Sequence, residues 1–144
     1  MKNNVLNGLG LIIIGLIFFA GNLNLHAQKV QGPSLEFVKE KEDLGTVKVS
    51  ELDTFNKDIE FVNKGDQPLI LSQVRGCCGT RIVDWTKEPI NPGEKGVIKI
   101  QFRLNPRPHT VSRVVTVVSN DAAGQKVFRI VGEVIDDVVD VNVQ

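Results

Sequence analysis

Apolar and polar residues alternate at every second position over much of this chain. The segment 97–104 reads VIKIQFRL and places Ile98, Ile100, Phe102 and Leu104 on one face, with polar side chains on the other. This period predicts a half-buried strand. The same pattern recurs in segments 55–61 and 126–134. Beyond the N-terminal segment, no long window has a clean helical period, so we expect helices to be absent or limited to single turns.

Two other segments, 69–74 and 111–118, are apolar on both faces. Such runs are typical of central strands that are covered from both sides, or of strands whose second face meets another surface. We favour central strands for both segments.

Turn-forming residues separate these runs at regular intervals. They lie at 63–66, 91–93, 105–108 and 120–124. The charged segment 36–43 leads from a first short strand to a second near 44–49. About seven short strands in one all-β domain predict a β-sandwich.

The N-terminus has the order of a secretory signal peptide. Lys2 precedes an apolar run from Leu9 to Ala20, and a polar stretch leads to Ala27, followed by Gln28. A membrane-spanning helix needs about 20 apolar residues, which is longer than this run. We therefore predict a signal peptide over residues 1–27, cleaved from a single domain over 28–144. The mature protein is expected to be periplasmic or extracellular, with no membrane association.

The charge balance does not favour nucleic acid as a partner. Removing residues 1–27 deletes one lysine, which leaves 16 Lys and Arg against 17 Asp and Glu, a formal charge of −1. A nucleic-acid-binding domain usually has a clustered basic face. Here the basic residues are interspersed with acidic ones rather than forming a run, and we interpret them as ordinary solvated strand positions; they include Lys99, Arg103, Arg107 and Arg113.

The central segment resembles an exported bacterial family, common in Bacteroidetes-like organisms, that is known as domain of unknown function 1573. The resemblance is carried by Phe61-x-Asn63-x-Gly65, Pro68-Leu69-Ile70, Trp85, Pro92-Gly93-Glu94-Lys95-Gly96 and Phe102. It implies an immunoglobulin-like β-sandwich, and the family has no agreed activity. In place of the family's Cys-Gly-Cys-Thr motif, Cys78 and Gly79 match the first two positions and Thr80 replaces the second cysteine. Cys77 stands one position early.

Cys77 and Cys78 are the only cysteines. An oxidising envelope favours a disulfide, but adjacent Cα atoms are only about 3.8 Å apart, below the usual lower limit of about 4.4 Å for a bridge. A vicinal disulfide would be strained and easily reduced, with Gly76 and Gly79 supplying backbone freedom. Alternatively, the two thiols point to opposite sides of the chain, one buried and the other exposed or paired with another molecule.

No group of residues specifies a reaction. A nucleophilic cysteine needs a base, and His109, the only histidine after residue 27, lies in what we interpret as a loop. A structural zinc site needs more ligands than the chain offers. We therefore predict no catalytic residues, no metal and no cofactor. Trp85 is expected to pack in the core, as large aromatic residues of a sandwich usually do.

These observations together predict a non-enzymatic binding or assembly module of the cell envelope. It would present an edge strand, or the loop from Gly76 to Trp85, to a protein partner whose identity the sequence does not indicate. Two alternatives remain: a redox-responsive protein that acts through Cys77 and Cys78, or a purely structural envelope protein.

Overall fold

The computed structural model describes residues 31–137, which form eight β-strands and one turn of 3₁₀ helix. The strands are β1 (Leu35–Phe37), β2 (Lys41–Lys48), β3 (Thr54–Asn63), β4 (Leu71–Gly76), β5 (Arg81–Trp85), β6 (Lys95–Arg103), β7 (His109–Ser119) and β8 (Gln125–Ile135), and the 3₁₀ turn is Val49–Glu51. None of these residues belongs to a helix that could cross a membrane. The predicted signal peptide lies outside the described residues.

The strands form two four-stranded sheets, in the orders β1-β3-β6-β5 and β2-β8-β7-β4. All neighbouring strands are antiparallel except β2 and β8, which are parallel. Immunoglobulin-type sandwiches have the same division into A-B-E-D and C-F-G strands. The prediction of an all-β, immunoglobulin-like sandwich is confirmed, with one strand more than the expected seven.

The alternating segments form strands as predicted, because one face of each strand lies against the opposite sheet. On β6, Ile98, Ile100 and Phe102 are buried, while Lys99 and Arg103 are exposed. Strands β3 and β8 follow the same rule. The buried apolar side chains form one core between the sheets: Leu35, Ile59, Phe61, Leu69, Leu71, Val74, Ile90, Ile98, Ile100, Phe102, Leu104, Val111, Val115, Val117, Phe128, Ile130 and Val134.

The expectation of two central strands is wrong for segment 69–74. Strand β4 lies at the edge of its sheet and pairs only with β7. Its apolar residues do not all face the core. Leu69 and Leu71 are buried, whereas Ile70, between them, is 44% exposed. Strand β7 is central in its sheet, but the sandwich has only two layers. Val114 and Val118 on its outer face are therefore only half-buried.

Strands β4 and β5 are consecutive along the chain but belong to different sheets. Residues 77–80 carry the chain from one sheet to the other. At the opposite end of the two strands, Leu69 and Ile90 exchange two backbone hydrogen bonds of 2.9 Å. This pairing joins the segments that flank β4 and β5, so the turn that contains both cysteines is held at one end of the sandwich.

Candidate functional site

The cysteines lie in a tight turn between β4 and β5. The Thr80 N–H donates to the Cys77 carbonyl at 2.9 Å, and the Cys77 N–H donates to the Val114 carbonyl at 3.0 Å. The two central residues, Cys78 and Gly79, have φ angles of 55° and 78°. Positive φ at both central positions is characteristic of a type I′ turn. Cys78 is the only described non-glycine residue with positive φ, and this conformation costs an ordinary residue about 1–2 kcal/mol.

No disulfide joins the two cysteines in this structure, and their Sγ atoms lie 2.7 Å apart on the same side of the turn. Cys77 Sγ also accepts the Val114 N–H at 3.2 Å. The contact with Cys77 raises the pKa of Cys78. Activated cysteine nucleophiles have lowered pKa values, so this thiol differs from them in the direction of its shift. The arrangement with thiols on opposite sides of the chain is not the one observed.

The two flanking glycines support the turn in different ways. Gly79 adopts the left-handed conformation that the turn requires. Gly76 has no unusual φ, but a Cβ atom built there would lie 2.3 Å from the Thr80 carbonyl oxygen. Glycine at position 76 therefore allows two backbone segments to approach closely, whereas glycine at position 79 provides conformational freedom.

Trp85 ends the edge strand β5, and its side chain packs against the border of the core while remaining partly exposed. Lys87 Nζ lies over its ring, 5.4 Å from the centroid. The indole Nε1 is buried and has no hydrogen-bond partner among the described residues. A shallow recess of about 380 Å³ runs beside it, lined by Asp84, Trp85, Thr86, Lys87, Glu88, Val97 and Lys99.

The other end of β5 borders a larger concave surface, which we call the arginine groove. It has a volume of about 450 Å³ and is lined by Thr54, Cys78, Gly79, Arg81, Gln101, Phe102, Arg103, Asn105 and Arg113. These residues come from β3, β5, β6, β7 and two connecting loops. The lining therefore includes three guanidinium groups and no carboxylate.

Several contacts within the chain position Arg113 in this groove. Its Nη1 donates to the Cys78 carbonyl, and its Nη2 donates to the Arg103 carbonyl at 2.6 Å. Its guanidinium also lies over the Phe102 ring, 5.3 Å from the centroid. Arg113 thus connects the cysteine turn to the end of β6 and covers the end of the core. Arg103 is oriented separately, since its Nε donates to Thr54 Oγ1 at 2.8 Å.

None of the arginines in residues 31–137 forms an ion pair. The described salt bridges all use lysine, at positions 39, 41, 57, 87, 95 and 126. The carboxylate that precedes the groove residue Thr54 is Asp53, which lines a neighbouring cavity beside Arg103. The guanidinium groups of the groove are therefore not neutralised by direct contact with a carboxylate of the described chain.

The expectation that His109 lies in a loop is wrong. It is the first residue of β7, where it pairs with Val134. Its Nδ1 is 2.7 Å from the Arg107 carbonyl oxygen, a distance at which a protonated Nδ1 donates. The strand start places it in a small depression that Cys78 also lines. Even so, no three His, Cys, Asp or Glu residues within 31–137 are close enough to hold a metal ion together.

Sequence reasoning missed the arginine groove, although it considered Arg103 and Arg113. These residues are separated along the chain by a turn, and Arg81 lies still further away. The groove forms because Arg81 pairs in register with Gln101 beside Arg103, while Arg113 reaches across from the opposite sheet. No local sequence pattern indicates that these three arginines lie close together.

Comparisons with known proteins agree with this architecture. The model of the family described as protein of unknown function (DUF1573) matches residues 35–134. The chain belongs to this family. Among curated proteins, no significant sequence match is found. The recognition from the Asn63, Trp85 and Pro92–Gly96 motifs is thus confirmed.

Solved structures that share the fold include a protease and a protein of unknown function. A secreted serine protease, VesC from Vibrio cholerae, is 14% identical with a TM-score of 0.60, over 72% of this chain and 23% of that one. A protein of unknown function from Porphyromonas gingivalis W83 is 18% identical with a TM-score of 0.58, over 73% of this chain and 48% of that one. The chain thus spans less than half of either protein, and the likeness concerns the fold alone.

Proposed function

We propose that this domain is a non-enzymatic binding module of the cell envelope, which takes up an extended segment of a protein partner along the free edge of β5. The observation that carries the proposal is that one side of β5 has no neighbouring strand among the described residues. Strand β5 pairs with β6 on one side and with no described strand on the other. Unpaired edge N–H and C=O groups can accept another chain as an additional strand.

The edge has features that suit a partner. A register shift between Ile82 and Asp84 leaves Val83 outside the regular pairing and 53% exposed. The arginine groove lies beside the start of β5, and the Trp85 recess lies beside its end. Concave surfaces at both ends of an exposed strand offer pockets for the side chains of an added strand, which give specificity to strand addition.

The chemistry of the turn supports binding rather than catalysis. Catalytic cysteines need a lowered pKa or an adjacent base, whereas the contact with Cys77 raises the pKa of Cys78. The concave surfaces are shallow, and their charged residues lie on the outer surface rather than in an enclosed pocket. The N-terminal segment that is predicted to be a signal peptide supports an envelope location.

Site-specific cross-linking in cells tests this function. A photoreactive residue at Val83 should form a covalent adduct with an envelope protein, while the same residue at Val127, 41% exposed on the other sheet, should not. Val83→Lys should reduce recovery of that partner about tenfold because a charge on an edge opposes strand addition. Equal adduct formation at both positions, or full recovery with Val83→Lys, would refute binding at this edge.

A second candidate function, thiol–disulfide exchange, is favoured by the 2.7 Å separation of the two sulfur atoms. In that reaction, a disulfide of an envelope protein would accept two electrons and two protons from Cys77 and Cys78. The products would be a vicinal disulfide here and a dithiol on the other protein. Cys78 is the more accessible of the two sulfur atoms to such a protein, because Cys77 is more buried.

Intact mass and thiol alkylation of protein purified from the envelope without reductant separate these candidates. Two alkylated thiols on the mature chain, which is predicted to start at Gln28, would support the binding module. A chain lighter by two hydrogen atoms with no reactive thiol would support exchange. Replacing both cysteines by serine should leave partner recovery unchanged for the binding function and abolish exchange.

A further inference from the structure

We infer that the arginine groove selects partners that carry carboxylates, so that the segment bound along β5 is acidic at the end next to Arg81. The inference rests on the proposed function and adds the chemistry of the ligand. Three arginine residues line one concave surface whose lining has no carboxylate. An exposed surface with uncompensated cations attracts anionic groups and orients them on approach.

Contacts within the chain hold two of the three arginines of the groove in place. Arg113 is fixed by two backbone carbonyls and by the Phe102 ring, and Arg103 by the Thr54 hydroxyl. Fixed donors lose little side-chain entropy on binding. Arg113 uses N–H groups of two of its nitrogens for these internal bonds, so Arg81 and Arg103, both exposed, are the residues that can present a guanidinium fork to a ligand.

Carboxylate fits this geometry because a guanidinium can bind both carboxylate oxygens with parallel hydrogen bonds. The surroundings disfavour a long polyanion. On the outer face of the same sheet, Asp58 lies opposite Lys99 on the adjacent strand, and Glu60 forms a salt bridge with Lys95. The positively charged surface therefore ends within a few residues of the groove. A nucleic acid or sulfated polysaccharide needs an extended basic track, whereas one or two carboxylates need only the groove.

The groove also lies in line with the proposed binding edge. Arg81 is the first residue of β5, and its neighbours on the adjacent strand are Gln101 and, further along, Arg103. A strand added to β5 would therefore bring one of its ends to the groove. An acidic residue at that end would meet Arg81 and Arg103 while the backbone pairs with the edge.

Fluorescence anisotropy with labelled peptides of about eight residues tests this inference on the purified mature domain. One peptide alternates glutamate and valine, a second replaces glutamate by glutamine, and a third replaces it by lysine. The glutamate peptide should bind at least about tenfold more tightly than the other two, as expected for charge-assisted hydrogen bonds. Its affinity should fall as salt increases.

The double variant R81Q/R103Q should remove this preference, whereas R129Q should retain it. Arg129 is a matched control because it is an exposed arginine without an ion pair on the outer face of the other sheet. Arg113 is left unchanged, since it supports the turn and the end of the core. Far-ultraviolet circular dichroism and the urea midpoint of each variant show that the variants are folded.

Three results would overturn the inference. Equal affinity for the glutamate and glutamine peptides would show that the edge binds without selecting charge, which leaves the proposed function intact. If R129Q also lost the preference for the glutamate peptide, the net charge of the domain, and not the arginine groove, would determine the selectivity. A heparin fragment that binds through Arg81 and Arg103 when the glutamate peptide does not would assign the groove to sulfated polyanions. The cross-linking at Val83 judges the proposed function separately.

Discussion

Asn63 shows how much of this fold depends on single side chains. Its side chain is fully buried, yet all of its polar atoms have partners. Oδ1 accepts the Ser34 and Gly65 N–H groups, and Nδ2 donates to the carbonyls of Gln67 and Ile90. One amide thus ties the segments before β1, after β3 and before β6, which explains its place in the family motif.

Replacing Asn63 by alanine should lower the free energy of unfolding by about 3–5 kcal/mol, because four backbone groups lose their partner in a buried place. Asn56→Ala, on an exposed position of the same strand, is the control and should change stability by less than about 1 kcal/mol. Urea denaturation of both variants measures the difference. Similar losses for the two variants would contradict the role assigned to Asn63.

The left-handed conformation of Cys78 is a second residue-scale feature. Cys78→Gly should leave the free energy of unfolding unchanged or raise it by up to about 1 kcal/mol. The reason is that glycine adopts φ 55° without strain. Gly79→Ala, at φ 78°, should lower it by about 1–2 kcal/mol. Thermal denaturation under reducing conditions compares the two. A marked loss in Cys78→Gly would mean that the thiol contact with Cys77 contributes more than the strain costs.

At the scale of elements, a continuous apolar run does not show which face of a strand lies in the core. The outer valines of β7 illustrate this point. Val115 and Val117 lie in the core and are 0% exposed, whereas Val114 and Val118 are half-buried on the outer face. Both sets look alike in sequence, and only the two-layer architecture separates them.

The matched substitutions Val117→Thr and Val118→Thr test this assignment within one strand. Val117→Thr should lower the free energy of unfolding by about 1–3 kcal/mol, because it buries a hydroxyl group in an apolar core. Val118→Thr should change it by less than about 0.5 kcal/mol, since its hydroxyl reaches solvent. Urea midpoints of the two variants provide the measurement. A large loss at Val118 would show that the outer face of β7 is covered.

At the scale of the whole molecule, Asp121 links the two sheets. It lies in the turn between β7 and β8, and its side chain is 6% exposed. Its carboxylate accepts the N–H of Leu35, on the opposite sheet, at 2.7 Å and that of Ala123 at 2.8 Å, and pairs with Lys126 at 3.2 Å. Burial raises the pKa of Asp121, but these bonds together outweigh it and hold the pKa below its ordinary 3.8.

Because the folded-state pKa of Asp121 is lowered, its contribution to stability is complete above the ordinary pKa of 3.8 and is lost as pH falls through the folded-state value. Asp121→Asn should therefore lower the free energy of unfolding by about 2 kcal/mol at pH 7. The difference between the two proteins should shrink below about pH 4. Urea denaturation across this pH range measures it, and a constant difference would contradict the ionic role.

Much of the fold was predictable from local patterns. The half-buried strands over 55–61, 97–104 and 126–134 followed from alternation, because one face of each strand meets the opposite sheet. The edge position of β4 was not predictable. Leu69 and Leu71 would be apolar in either position, since their burial depends on the opposite sheet and not on strand neighbours.

The candidate site was also only partly predictable from the sequence. The sequence predicted a loop from Gly76 to Trp85, but this is wrong beyond residue 80, because Arg81–Trp85 forms strand β5. The side on which the two sulfur atoms meet depends on the φ angles of Cys78 and Gly79. The arginine groove could not be predicted at all, because it joins Arg81, Arg103 and Arg113 from different strands.

The sequence by itself determined the all-β class, the positions of most strands and turns, and the family. These properties follow from local periodicity, turn chemistry and short motifs, which act between residues that are close along the chain. Only the tertiary structure decided which strands form edges, that His109 starts β7 near Cys78, and that three arginines share one groove. Such features depend on strand order and register, which bring together residues whose sequence separation leaves no local pattern.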